Sequence, residues 1–385
     1  MKPFVLLLFL FSLVVVRGVS SGALADSIAT LKAVGAEGEG NEAATRAWNE
    51  LAKAGPEQLT EILAGMDGAN PISANWLRAA AGVVADAAIA KKALPVEALT
   101  EFLMDTTHDA SPRTLAFDLI QGTDPDVAST ITPSLLQDPS AALRRHPVGR
   151  LIEEGDAKLE AGDKALAVAA WRKGLEGARD QDQIDALAQK LRDQGEEVDL
   201  PTHFGFLMDW HLIAPFDNTD RGGFDVAYPP EEKVDLNAAH EGKGHEAKWV
   251  PFRSEDEYGM VDFNKPFDML KNVVGYAYTV FDSSEERPAE IRLGCKNGWK
   301  VWLNGELLFE RDEYHRGMKL DQYKLPCQLK KGKNTVLVKC CQNEQTETWT
   351  DSLCDPPCLA GDFTRRLRRR LDAVPRSERL RRLDR

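Results

Sequence analysis

Trp299-Lys300-Val301-Trp302-Leu303-Asn304-Gly305-Glu306 alternates large apolar residues with other types and then breaks at Asn-Gly. A period of two is that of a strand with one buried face, so Trp299, Val301 and Leu303 share the inner side and Lys300, Trp302 and Asn304 the outer. Asn-Gly favours the φ > 0 turns of tight hairpins. Because Asn297-Gly298 precedes the run and Asn304-Gly305 ends it, residues 289–310 read as a three-stranded meander. Further alternating runs lie on either side: Phe204, Phe206, Met208, Trp210 and Leu212; Tyr276, Tyr278 and Val280; Ile291, Leu293 and Cys295; Val336, Val338 and Cys340. Many short strands separated by turn signals predict a β-sandwich of jelly-roll type over residues 201–352.

The run 300–306, followed by Leu329-Lys330-Lys331-Gly332-Lys333-Asn334-Thr335-Val336-Leu337-Val338-Lys339, resembles the paired motif of galactose-binding-like jelly rolls. It is similar to that of the sugar-binding domain of glycoside hydrolase family 2 enzymes. Upstream, Asp209-Trp210-His211-Leu212-Ile213-Ala214-Pro215-Phe216-Asp217-Asn218, with Gly223-Phe224-Asp225 and Tyr228-Pro229-Pro230-Glu231, resembles exported bacterial proteins that join helical repeats to such a jelly roll. Those proteins usually carry Gly where this chain has Ala214. The resemblance spans roughly residues 180–350 and implies a fold more strongly than a ligand. Asn304-Gly305 and Gly332-Lys333-Asn334 also have plain structural uses, closing a hairpin and turning the chain into a strand.

Before Leu200-Pro201 the period is that of helices. Ser111-Pro112, Asp124-Pro125 and Asp138-Pro139 each place a capping side chain before a Pro at the first helical position. Apolar stripes follow them: Leu115, Leu119 and Ile120; Val127, Ile131 and Leu135; Leu143, Leu151 and Ile152. Pro133 and Pro147 recur at matching places and predict kinks. Short stacked helices of this kind resemble HEAT or armadillo α-solenoids. Gly155, Ala167 and Trp171 fall at the small, small and aromatic positions of a tetratricopeptide hairpin over 151–178, although an ordinary αα-hairpin explains them as well. A last helix carries Ile184, Leu187 and Leu191 and stops at Gly195. The fold class expected is therefore multidomain α + β: an N-terminal α-solenoid, HEAT/TPR-like, over 26–198, then the galactose-binding-like β-sandwich.

The chain has 385 residues and a formal net charge of −13. Residues 1–25 carry +2 and residues 359–385, with ten Arg against four acids, carry +6, so the body holds −21. Such a body argues against nucleic acid as a partner. Lys2, the apolar run Phe4 to Val16 and Ala23-Leu24-Ala25 read as a secretory leader cleaved before Asp26, which predicts a periplasmic or extracellular protein. No later run is long enough for a membrane span, so an integral membrane protein is not expected. Residues 353–385, Arg-rich and without Lys, read as a disordered basic arm or as out-of-frame translation.

All six cysteines lie at 295–358; they allow 15 disulfide connectivities and lack the paired spacing of a zinc site. Cys340 and Cys341 should point to opposite faces, so at most one should be buried. The candidate ligand-binding residues are Trp302, whose outward ring could stack on a sugar, and Arg311, Tyr314, His315 and Arg316 in the loop after the hairpin. Alternatively, Trp302 is covered by a neighbouring segment. Asp217, Asp220 and Asp225 offer oxygens for Ca²⁺, but Thr219 and Arg221 break the EF-hand pattern, and a metal-free Asx-turn loop is the competing reading. His240 and His245 are five apart with glycines between, a poor zinc pair. Gly18 to Gly22 and Gly38 to Ala43 fit enzyme motifs only loosely and outside the required strand-to-helix context. The chain thus reads as a non-catalytic binding protein for a glycan or a protein partner in the cell envelope. The alternatives are a purely structural protein–protein module and a hydrolase with an unrecognised site.

Overall fold

A computed structural model describes residues 20–314, 317–344 and 358–359. The leader run, His315, Arg316 and almost all of the basic tail lie outside the described residues. The chain divides into two compact units, Met1–Gln194 and Gly195–Arg385.

The first unit is helical: α1 Ser21–Lys32, α2 Asn41–Leu51, α3 Leu59–Ala64, α4 Pro71–Ala90, α5 Val96–Met104, α6 Ala110–Thr123, α7 Pro125–Ile131, α8 Ala141–Glu160, α9 Lys164–Gly177 and α10 Gln181–Asp193. Sequence neighbours pack on each other, α1 on α2, α5 on α6, α8 on α9 and α9 on α10. The apolar stripes of α1 to α7 and the start of α8 merge into one core that runs from Leu24 through Leu77 and Phe117 to Leu143. Leu24 belongs to the segment expected to leave with the leader, yet it is fully buried. Its helix is capped by Ser20, which accepts from the Ala23 amide. No helix among the described residues is long and apolar enough to cross a membrane.

Of the three expected helix starts, Asp124-Pro125 is used as read, with Asp124 accepting from the Val127 amide at 3.1 Å. The other two shift. α6 starts after Asp109, and Ser111 lies inside it. α8 starts after Ser140, because the Asp138 carboxylate is engaged elsewhere. Arg113 reaches it from α6 with both terminal guanidinium nitrogens and donates through Nε to the Leu103 carbonyl at 2.7 Å. Arg144 donates to the Asp138 carbonyl, and the Ser140 amide donates to its carboxylate at 2.8 Å. A side chain that looks like a local cap thus serves as a buried tertiary ion pair. Pro147 sits inside α8 without ending it, and Pro133 falls in a 3₁₀ stretch, Thr132–Gln137. In the α8–α9 hairpin, Gly155 is required by packing: a Cβ there would collide with the Trp171 indole, which donates to the Ile152 carbonyl at 3.3 Å.

The second unit is antiparallel β: β1 Asp209–Asp217, β2 Ala239–Glu241, β3 Glu246–Lys248, β4 Val250–Arg253, β5 Val273–Ser283, β6 Arg287–Leu293, β7 Gly298–Leu303, β8 Glu306–Arg311, β9 Tyr323–Leu329, β10 Gly332–Cys341 and β11 Cys358–Leu359. A six-stranded sheet in the order β4-β1-β5-β10-β7-β8 and a three-stranded sheet β11-β6-β9 contribute to one shared core. The large sheet supplies Trp210, Trp299, Val301 and Val338, and the small one supplies Ile291, Leu293, Leu325 and Leu329. Asn304 and Gly305, with φ of 54° and 83°, close the β7–β8 hairpin as the sequence predicts.

Two expectations about the strands of this unit fail. The meander over 289–310 does not form, because β6 pairs with β9 in the other sheet and the chain changes sheets before β7. Gly298 serves close packing rather than a hairpin: a Cβ there would lie 3.1 Å from Asp312 Oδ1 and 3.4 Å from Phe224. The strand expected from Phe204 also begins later, since Leu200–Phe204 is a helical turn capped by Asp199 and β1 starts at Asp209.

Cys340 and Cys341 are both buried, against the expectation of one. The outer face of the large sheet is covered over part of its area by a second apolar cluster, with Phe216, Phe224, Trp249, Val274 and Tyr276 around Cys341. Cys340 is disulfide-bonded, whereas Cys295, Cys327 and Cys341 are free thiols.

Arg113→Ala leaves the Asp138 carboxylate buried without its main cation and should cost about 3–5 kcal/mol of stability. Urea unfolding followed by circular dichroism checks this; a loss below about 1 kcal/mol would contradict the assignment of this pair as a buried tie.

Candidate functional site

β1 ends at Asp217, and the loop that follows is built by short-range polar bonds. The Asp217 carboxylate accepts from the Thr219 amide at 3.1 Å and its hydroxyl at 2.7 Å, and it pairs with Lys243 at 2.9 Å. The Lys243 ammonium, and then the Thr219 hydroxyl, hold its pKa down at about 2. Asn218 is fully buried. Its Nδ2 donates to the Gln342 carbonyl at 2.7 Å and to the Tyr314 hydroxyl at 3.2 Å, and its Oδ1 accepts from the Gly223 amide at 3.0 Å. One side chain therefore ties three segments that are far apart in sequence.

The result is a polar and aromatic corner beside the N-terminal end of β7. The Arg221 guanidinium lies 4.8 Å from the Tyr314 ring centre and pairs with Glu344 at 3.0 Å. Tyr314 is half-buried, and burial pushes its pKa up to about 12. Asp312 packs its carboxyl against Gly298; burial, then the negative charge of Asp225, raises its pKa, while Arg221 and Lys300 pull the other way. Lys300 pairs with Glu310 at 2.8 Å and sits 4.3 Å from the centre of the Phe224 ring.

Lys339, fully buried on β10, anchors the segment that roofs this corner. Its ammonium donates to the carbonyls of Phe224 at 3.0 Å and Val226 at 2.7 Å and to Glu231 Oε1 at 2.8 Å. The Tyr276 hydroxyl donates to the same Glu231 oxygen. The Tyr228 and Tyr276 rings flank the ammonium at 5.4 and 5.8 Å. Residues 224–231 are thereby strapped across the outer face of the large sheet.

The structure sorts the residues singled out from sequence. Trp302 is half-buried on the outer face, at the margin of the second cluster, as is Tyr314. Arg311 lies opposite Trp299 on the other face, pairs with Glu313 at 3.0 Å and stacks 5.6 Å from the Tyr323 ring, so it does not join them. His315 and Arg316 are outside the described residues. Asp217, Asp220 and Asp225 do not converge on a common point for calcium; no group of three His, Cys, Asp or Glu side chains among the described residues is arranged to hold a metal ion. Asp217 instead has Lys243 as its cation, and Asp220 is an exposed residue in the left-handed region, with φ of 54°. Two loops read separately from sequence, 217–225 and 311–314, are one corner. Asn218, Arg221, Phe224, Lys300 and Asp312 are not among the candidates that the sequence offers, because their partners lie as much as 124 residues away.

No protein-family model matches the chain, and no curated protein sequence matches it. Among solved structures, a family 35 carbohydrate binding module from Clostridium thermocellum is similar to part of it. That match covers 23% of this chain and 71% of the module, at 12% sequence identity and a TM-score of 0.16.

Lys339→Met keeps the side chain's approximate volume but leaves Glu231 and two carbonyls buried without their donor. It should destabilise the protein by about 3–5 kcal/mol. Hydrogen exchange across 224–231 should accelerate before the rest of the sheet; unchanged protection there would show that the strap is held by other contacts.

Proposed function

We propose that this chain is an exported, non-catalytic binding protein. Its β unit is read as a galactose-binding-like jelly roll that engages a glycan of the cell envelope, and its helical unit as an α-solenoid scaffold of HEAT/TPR-like repeats. The observation that carries the reading is the corner where Asn218, Arg221, Asp312 and Tyr314 come together, with Lys300 against the Phe224 ring. Sugar hydroxyls donate and accept at once, and sugar rings have apolar faces. A partly buried site that mixes a guanidinium, an ammonium, carboxylates and aromatic rings fits both properties. A flat protein-binding surface would instead be expected to present a contiguous apolar centre.

Export rests on the leader, and the buried position of Leu24 refines where cleavage should fall. Removal through Ala25 would strip the first turn of α1 and delete the fully buried Leu24, whereas a cut before Ser21 leaves both in place. Gly18 and Ser20 supply small residues at the −3 and −1 positions of an earlier site. N-terminal sequencing of the secreted protein should therefore read from Ser21 or upstream; a start at Asp26 would contradict the helical assignment of α1.

The binding reading is tested on a glycan array with purified protein. A saturable signal should fall about tenfold or more in Arg221→Ala and Tyr314→Phe. Absence of any glycan signal, with a protein partner recovered and sensitive to the same substitutions, would favour the protein–protein module instead.

A further inference from the structure

The strap over 224–231 covers only part of the outer face. It lies over the row in which Tyr276, Lys339 and Lys300 are paired across β5, β10 and β7. The next row on the same face is His211–Tyr278–Leu337–Trp302–Leu307, fixed by direct pairing across β1, β5, β10, β7 and β8. Here the cover thins: Leu307 is 46% exposed and Val280, beyond Tyr278 on β5, is 45% exposed, while Tyr278 meets the buried Trp249 edge-on, with ring centres 6.2 Å apart. Tyr278 and Trp302 are half-buried, and Leu337 forms a flat floor between them. Because one strand separates theirs, the two rings stand two strand spacings apart, about 10 Å.

Three features of this row point to a ligand of one chemical kind. The rings and aliphatic residues supply apolar area along a line that crosses the strands. No described residue hydrogen bonds to the Tyr278 hydroxyl, the Thr335 hydroxyl or the His211 ring, so polar groups stand free at the edges of the apolar line. The row itself carries no carboxylate, ammonium or guanidinium, and Lys300 in the neighbouring row is paired with Glu310. An acidic body of −21 opposes a polyanion, whereas a neutral polyol pays no such electrostatic cost. We infer that the open half of the outer face is a binding platform for an uncharged, extended oligosaccharide, laid across the strands with one sugar ring on Tyr278 and another on Trp302.

This inference rests on the glycan-binding reading and adds to it a second surface and a ligand class. Its test is calorimetric titration of the full chain with cellohexaose, xylohexaose, mannohexaose and, as the charged comparison, hexagalacturonate. At least one neutral hexasaccharide should bind. Tyr278→Ala and Trp302→Ala should each weaken that binding about tenfold, consistent with one aromatic face lost. Leu307→Asp, at an exposed position where folding is not at stake, should weaken it as well, with native circular dichroism. Failure of all three neutral hexasaccharides to bind overturns the inference, as does a preference for hexagalacturonate. Binding of a neutral hexasaccharide that is indifferent to Tyr278→Ala and Leu307→Asp also overturns the platform, and in that case the broader glycan-binding reading stands.

Discussion

Lys339 is the constraint on which the arrangement of the β unit depends. It lies in Val336-Leu337-Val338-Lys339-Cys340, a strand whose odd side in an ordinary one-faced sheet would meet water, yet it is fully buried. Burying an ammonium costs several kcal/mol unless its hydration is replaced. Glu231, two carbonyls and two tyrosine rings replace it here. Its direct cross-strand neighbour is another cation, Lys300. Like charges placed opposite each other are destabilising. The conflict is resolved by giving each its own carboxylate, Glu231 for Lys339 and Glu310 for Lys300, and by placing Phe224 so that its carbonyl serves one lysine and its ring the other.

That solution dictates where the strap runs, and the strap in turn divides the outer face. Under it lie the ionic row and the free, buried Cys341 thiol, whose pKa burial pushes up to about 12, a poor nucleophile. At one end the strap and its preceding loop form the corner around Asn218 and Tyr314. Beyond it lies the row His211–Tyr278–Leu337–Trp302–Leu307, which carries no carboxylate, ammonium or guanidinium and ends in an exposed leucine. Two surfaces of different chemistry thus follow from one buried charge. The corner is rich in fixed ions suited to orienting a polar group, and the open row is suited to flat apolar contact.

The parts of the fold legible in the sequence were those decided by neighbours along the chain. The Asn304-Gly305 turn and the inward set Trp299, Val301 and Leu303 depend on local backbone preference and strand period. The Gly155–Trp171 contact in the α8–α9 hairpin is similarly local, and the hairpin formed where it was read. The failures share a cause. Asn297-Gly298 has the composition of a turn but is there because Phe224, Asp312 and Tyr314 crowd it. Asp138 has the composition of a cap but is claimed by Arg113, 25 residues earlier. The burial of Cys341 as well as Cys340, and of Lys339 with it, is not legible because nothing in a period of two tells whether the second face of a sheet is covered.

The same reasoning explains why the candidate site was only half legible. Asp217 to Asp225 attracted notice for its acids and Arg311 to Arg316 for its donors, each as a separate loop. Neither composition contains the fact that joins them, which is the buried amide of Asn218. An Asn in an Asx-rich loop ordinarily serves its own turn. This one does so through Oδ1, to Gly223, and spends Nδ2 on Gln342 and Tyr314. Because the amide is fully enclosed, both ends of it need partners, and those partners exist only if the 311–314 loop and the end of β10 lie against the loop after β1. The corner's geometry is therefore set by a requirement of hydrogen-bond satisfaction rather than by the charged residues that make it look like a site. Those charges are secondary to it: Arg221 is held by Glu344 and the Tyr314 ring, and Asp312 lies against Gly298, so each takes its place from segments that the Asn218 amide has already brought together.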